Sequence, residues 1–118
     1  MYQLSMTPPT QKEALAVSIG YTMTADGVCL KNGRPVFCEL SHDGYANIRF
    51  KHDRKRYKIR RCRLQAFLKF GADLYRPEMV TRHLNGIRTD DSWENIAIGT
   101  QSENQMDRPA HERFAHAV

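Results

Sequence analysis

The sequence predicts a small α+β protein, in which a small antiparallel β-sheet and hairpin module precedes a compact strand–loop–strand–helix segment. Three observations carry this. Short apolar runs between residues 21 and 50 are separated by Asp26-Gly27, Asn32-Gly33 and Asp43-Gly44, dipeptides that supply the φ > 0 conformations tight hairpins need. Residues 45–50 and 56–60 alternate apolar and polar side chains, the period of a half-buried strand. Two further apolar runs, at 80–83 and 96–98, are followed by Thr100-Gln101-Ser102-Glu103, a capping box that starts a helix.

In chain order, residues 1–9 read as a loose tail ended by Pro8-Pro9. Thr10-Gln11-Lys12-Glu13 is a first capping-box pattern, and Ala14 to Val17 continue it into a helix of two turns. Strands are expected at 21–24, 28–30, 36–40 and 45–50. In 45–50, Ala46, Ile48 and Phe50 face the core, and Tyr45, Asn47 and Arg49 face away. In 56–60, Tyr57 and Ile59 take the apolar side, and Arg56, Lys58 and Arg60 the polar side. Residues 61–70 form a helix with Leu64, Phe67 and Leu68 as its core stripe, and Gly71 is its stop. Residues 72–78 are a linker in which Pro77 disfavours helix at Arg76. Pro109 should end the last helix near Arg108.

The chain has 118 residues, which bounds it to one domain with a modest core. Its net charge of +5 favours a polyanionic partner. Residues 49–63 hold nine of the eighteen Lys and Arg against one acid, Asp53. A solvated surface is the bland explanation of such a run. The density on one hairpin face favours nucleic acid instead, because single-sign clusters repel themselves unless something negative binds. The nucleic-acid candidates are Asn47, Arg49, Lys51, Arg54, Lys55, Arg56, Lys58, Arg60 and Arg61. No apolar run approaches the roughly 20 residues that span a bilayer, so no membrane partner is expected. The start MYQLSMTPPT lacks the basic and apolar regions of a signal peptide. Cys29, Cys38 and Cys62 are odd in number and widely spaced, as reduced thiols of a cytoplasmic protein are. Cys38 and His42 could form half of a zinc site, but no C-x-x-C pair supports structural zinc. His111 and His116 have no metal-like partner pattern and read as solvated tail residues.

The densest chemistry lies in residues 80–107, VTRHLNGIRTDDSWENIAIGTQSENQMD. Folded as strand, loop, strand and helix, it could place His83 and Asn104 side by side over one cleft. A lone histidine at a strand end is more often a hydrogen-bonded structural residue. With Asn95 and Asn104 at these spacings it gains a second meaning.

The order His83, Asn95, Asn104, with Leu84-Asn85-Gly86, Glu94-Asn95-Ile96 and Ser102-Glu103-Asn104 around them, resembles the HNH endonucleases. These are also called His-Me finger or ββα-metal nucleases, and the similarity is to small phage and homing-type members. The resemblance covers the last third of the chain well and the middle third loosely. It implies a ββα-metal finger at 79–108, behind a DNA-binding region at 1–78 of helix, basic hairpin and connecting helix, with a tail at 109–118. It implies metal-dependent hydrolysis of DNA, nicked or broken through, by a monomer or dimer in the cytoplasm of a bacterial or phage-infected cell. His83 would be the general base and sit at the metal, Asn104 would bind Mg²⁺ or Mn²⁺, and Asn95 would pin the loop. The family commonly has an aspartate before the histidine, and Arg82 stands there. Arg82 reads either as a clamp on the scissile phosphate or as the mark of a frame that binds DNA, expected to be double-stranded, without cutting it.

The chemistry suits the residues. A histidine neutral near pH 7 can accept a proton from water. A hard divalent ion takes oxygen ligands, and an asparagine carbonyl is one. Trp93 is expected to pack against the loop rather than on a base.

Overall fold

The computed structural model describes residues 11–106. They form α1 (Lys12–Ser18), β1 (Tyr21–Met23), β2 (Cys29–Lys31), β3 (Arg34–Pro35), β4 (Glu39–Leu40), β5 (Ala46–His52) and β6 (Lys55–Arg60). Then follow α2 (Arg61–Phe70), a 3₁₀ turn (Gly71–Tyr75), β7 (Val80–His83), β8 (Ile96–Gly99) and α3 (Gln101–Met106). Three antiparallel sheets result, in the orders β1-β2-β3, β4-β5-β6 and β7-β8. The class is α+β, as the turn dipeptides and the two-residue period predict.

The turn signals fold as read. Gly27, Gly33 and Gly44 all have positive φ. Gly27 has a second constraint: a Cβ there would lie 3.0 Å from the backbone carbonyl carbon of Asp91. The β1–β2 turn is therefore a seat for the later loop, and Trp93 N–H donates to Ala25 O at 2.8 Å across the same contact. The tip of the β5–β6 hairpin is less ordinary, since Asp53 and Arg54 both have positive φ without being glycine, which costs energy for residues with a Cβ.

Several elements differ from expectation. Of the strand expected at 36–40 only 39–40 pairs, as β4; Arg34 and Pro35 pair instead as β3 in another sheet, and residues 36–38 lie between the two. Pro35 has no N–H for a ladder, and Phe37 between the two strands is 84% exposed. Gln11 occupies the cap position of α1 without a side-chain cap, while Glu13 is buried and paired with Arg63. Thr10, the expected cap, lies outside the described residues, as do the stop at Pro109 and the tail histidines. Part of the expected 72–78 linker is the 3₁₀ turn, which buries Leu74.

Helix α2 follows its expected bounds, from Arg60 in extended backbone to Gly71 at φ 62°. It carries two stripes rather than one. Leu64 joins a core with Ala16, Tyr21, Cys29, Ile48, Phe50 and Ile59, with Leu68 packed on its edge. Cys62 and Ala66 join a second core with Leu74 and Ile96, with Phe67 against it. Each fully buried aliphatic side chain contributes roughly 1.5–3 kcal/mol, so α2 is held from both sides. Gln65, buried between the stripes, donates from Nε2 to Thr24 O at 2.9 Å and to Asp91 O at 3.0 Å. The helix thereby fixes the β7–β8 loop relative to the first sheet. Among the described residues, no helix is long and apolar enough to cross a membrane.

Candidate active site

Strands β7 and β8 pair from Val80 opposite Gly99 to His83 opposite Ile96. Alternation puts Thr81 and His83 on one face and Val80 and Arg82 on the other. The capping box forms: Thr100 N–H donates to Glu103 Oε1 at 2.8 Å, and Glu103 N–H donates to Thr100 Oγ1 at 3.3 Å. This cap starts α3 against β7.

His83 is buried, at 5% exposure. Its Nε2 lies 2.7 Å from Asp91 Oδ1. The other oxygen of Asp91, Oδ2, accepts from Arg61 Nε at 2.7 Å, and Arg61 Nη2 also donates to Thr89 O at 3.0 Å. Asp91 is itself buried, so its charge is balanced by Arg61 rather than by water. Arg61 is therefore engaged in this buried ion pair, whereas the sequence placed it among the nucleic-acid contacts. The difference arises because a helix-start arginine looks like its basic neighbours until the aspartate thirty residues on folds against it.

The loop between the strands is braced by Asn95. Its Oδ1 accepts from Asn85 N–H at 2.9 Å, and its Nδ2 donates to Asp90 O at 2.8 Å. One buried amide so ties the two ends of the loop. Asp90 is held below the usual carboxylate range, first by the Ser92 hydroxyl and also by the Asn85 amide. Trp93 is 41% exposed, with Lys69 Nζ over its ring at 5.6 Å.

Asn104 lines a cavity of about 240 Å³ together with Thr81, Cys62, Tyr45, Arg60 and Arg63. Thr81 Oγ1 is the sole buried side-chain oxygen or nitrogen without a hydrogen-bond partner among the described residues. His83 is not part of this lining, so the cleft expected to hold His83 and Asn104 together is organised differently. Asp91 draws the imidazole inward, and Tyr45 and Cys62 lie beside both features. The Tyr45 ring is 5.9 Å from the His83 ring. Arg60 stacks on the Tyr45 ring, Cζ to centroid 3.8 Å, and binds Asp43 at 2.9 Å. Arg82 lies over Gly99 near Glu103: a Cβ on Gly99 would be 2.7 Å from Arg82 Cδ and 2.6 Å from Glu103 Oε1. Its strand position points it away from the face that His83 occupies.

Two groups could concern a metal. Donor atoms of Cys62, His83 and Asp91 lie within 4.8 Å of one another, all buried. Both Asp91 oxygens are already taken, however, and a guanidinium stands 2.7 Å away. Burial also pushes the Cys62 thiol up to about 12, whereas metal binding needs the thiolate. This group fits a hydrogen-bonded core better than an ion. The Asn104 cavity offers neutral oxygens, the Asn104 amide and the unpartnered Thr81 hydroxyl, which suit a hard ion brought in with a phosphate. Cys38, weighed for zinc with His42, places its Sγ 3.6 Å from Val36 O.

The hairpin presents its charge in register. Arg49 stands opposite Lys58, and Lys51 opposite Arg56. Lys51, Arg54, Lys55, Arg56 and Lys58 are exposed, and Arg49 is bound to Glu39. Like charges directly opposite each other destabilise a strand pair. Asn47 departs from the expected polar face, being buried at 4%, with its Nδ2 donating to Tyr45 O at 3.3 Å. It stands opposite Arg60 at the base of the hairpin. It lines a cavity of about 390 Å³ with Lys12, Lys58, Arg60 and Arg63.

Asp91, Thr81, Cys62 and Tyr45 were missed as site residues. The Asp90-Asp91 pair was a signal of sorts, since an acid eight residues after a histidine can fold back on it, but it read as loop composition.

No protein-family model matches the chain, and no curated protein matches it. Among solved structures, it is similar to one described as DNA binding and cleavage by the HNH homing endonuclease I-HmuI. The TM-score is 0.56 at 20% identity, over 84% of this chain and 61% of that chain. The chain thus spans about three fifths of that protein's length. At this identity the likeness concerns the fold, an α+β chain of small antiparallel sheets and a helix consistent with the HNH ββα fold of that structure.

Proposed function

We propose that the chain is a metal-dependent DNA endonuclease, with residues 1–78 engaging DNA and residues 79–108 cutting it. One observation carries this reading. A buried histidine held by an aspartate adjoins a cavity containing Asn104 and a threonine hydroxyl that has no protein partner. The HNH-like fold supports this reading of them, and a buried hydroxyl left unpaired is costly unless something outside the chain binds it.

His83 takes a proton from the attacking water through Nδ1, since Nε2 is occupied by Asp91. Asn104 and Thr81 would hold Mg²⁺ or Mn²⁺, which would neutralise the phosphate and stabilise the leaving oxygen when bound. Arg60 and Arg63, which line the same cavity, bind phosphate oxygens. Asn95 keeps the loop closed under His83. The hairpin residues Arg49, Lys51, Arg56 and Lys58 lie along the backbone of a duplex, where phosphates relieve the like-charge pairs across the strands. Arg82, set on the opposite face from His83, acts outside the cavity.

A second reading is a DNA-binding protein without cleavage. It is favoured by the cavity lining, which contains no carboxylate, and by the burial of His83. Supercoiled plasmid incubated with Mg²⁺, Mn²⁺ or chelator separates the two. The nuclease reading expects nicked or linear product with metal only. Retained DNA affinity without product would establish the second reading.

A further inference from the structure

We infer that Asp91, held by Arg61, is the positioning residue that fixes the tautomer of His83, presenting Nδ1 as the unprotonated nitrogen. This deepens the nuclease reading and rests on it for the catalytic consequence, though not for the tautomer itself.

The donors and acceptors around Asp91 fix the position of the hydrogen. Asp91 has two oxygens, and both are used: Oδ2 by Arg61 Nε at 2.7 Å and Oδ1 by His83 Nε2 at 2.7 Å. A carboxylate only accepts, so Nε2 must carry the hydrogen. In the neutral ring Nδ1 then holds the lone pair. The Asp91–His83 contact is buried, with side-chain exposures of 1% for Asp91 and 6% for His83. Water cannot readily substitute for either partner there. Arg61 is needed because an unpaired carboxylate at that depth would be costly, and it is anchored in turn by Thr89 O. The main chain of Asp91 is fixed separately by Gln65 and by the close approach of Gly27. Asp91 is therefore placed from three points on two elements: the start and the middle of α2, and the β1–β2 turn.

The same donors and acceptors predict what an isosteric change does. In Asp91→Asn one oxygen becomes an NH₂. Arg61 Nε–H can only donate, so it takes the remaining oxygen. The new NH₂ then faces His83 Nε2 and requires an acceptor there. The imidazole must move its hydrogen to Nδ1, and the base loses its lone pair. The equivalent substitution in a serine-protease triad costs about 10⁴ in turnover through the wrong tautomer.

The experiment is long-range ¹H–¹⁵N correlation of the imidazole in ¹⁵N-histidine-labelled full chain, followed as pH is raised until the ring ¹⁵N shifts stop changing. It is run beside plasmid nicking with Mg²⁺. Wild type should show His83 with hydrogen on Nε2. Asp91→Asn should move it to Nδ1 and lower nicking by about 10²-fold or more. Hydrogen on Nδ1 in the wild type overturns the inference, whether or not the variant folds. So does an Asp91→Asn protein that keeps the wild-type tautomer and the wild-type rate. If the tautomer behaves as expected but wild type never cuts, the positioning stands and the nuclease reading fails.

Discussion

Arg61 and Asp91, thirty residues apart in sequence, form an ion pair of 2.7 Å whose aspartate is 1% exposed at its side chain. The pair joins the first turn of α2 to the loop between β7 and β8. Removing one partner of a buried pair leaves the other uncompensated. Arg61→Ala should therefore cost roughly 3–5 kcal/mol of stability, read from urea unfolding of the two proteins. A change within experimental error would show that Asp91 finds solvent or another partner.

The three thiols should separate by burial. Burial pushes Cys29 and Cys62 each up to about 12, and both are buried while Cys38 is half-exposed. A thiol reagent at pH 8 should modify Cys38 quickly, and Cys29 and Cys62 only as fast as the chain opens. Rapid modification of Cys62 would mean that the core beneath His83 is open.

Asp90 gives a pH signature with a definite sign. Its carboxyl is lowered in the fold, mainly by the Ser92 hydroxyl. The unfolded chain therefore binds its proton first as pH falls. The resulting stabilisation is complete above the ordinary aspartate value near 3.9 and disappears as pH drops through the lower folded value. Asp90→Asn should flatten the fall of Tm below about pH 4 relative to wild type. An identical acid limb in both proteins would remove Asp90 from the loop's stability.

On the hairpin, replacing Arg49, Lys51, Arg56 and Lys58 with Ala should weaken DNA binding and flatten its dependence on salt. Each lost phosphate contact lowers the log–log slope by about 0.9 for duplex DNA. An unchanged slope in a folded variant would place the DNA elsewhere on the chain.

Local signals carried much of this architecture. The glycines at 27, 33 and 44, the alternation in β5 and β6, the limits of α2 and the Thr100–Glu103 cap all depend on neighbours within a few residues. What escaped depends on partners far away. Asn47 has the polarity of a surface position, and nothing in its neighbours marks it as buried. Asp91 sits in a turn-rich stretch, and nothing local distinguishes it from Asp90, although one carboxylate is buried against His83 and the other caps a loop. The apolar residues that marked 36–40 as one strand give no warning that 36–38, with the exposed Phe37, only lead from one sheet to the next. Arg61 belongs by composition to the basic run and by geometry to the site.

The role proposed for His83, the base of a metal-dependent DNA nuclease, is tested by the rate at which supercoiled plasmid is nicked in Mg²⁺ by wild type and by His83→Ala, with DNA affinity measured on the same samples. Wild type should nick only with metal, the variant should be slower by about 10²-fold or more, and affinity should be unchanged, since the hairpin is intact. Equal nicking by the two proteins, or DNA binding by wild type without any nicking in Mg²⁺ or Mn²⁺, would contradict that role.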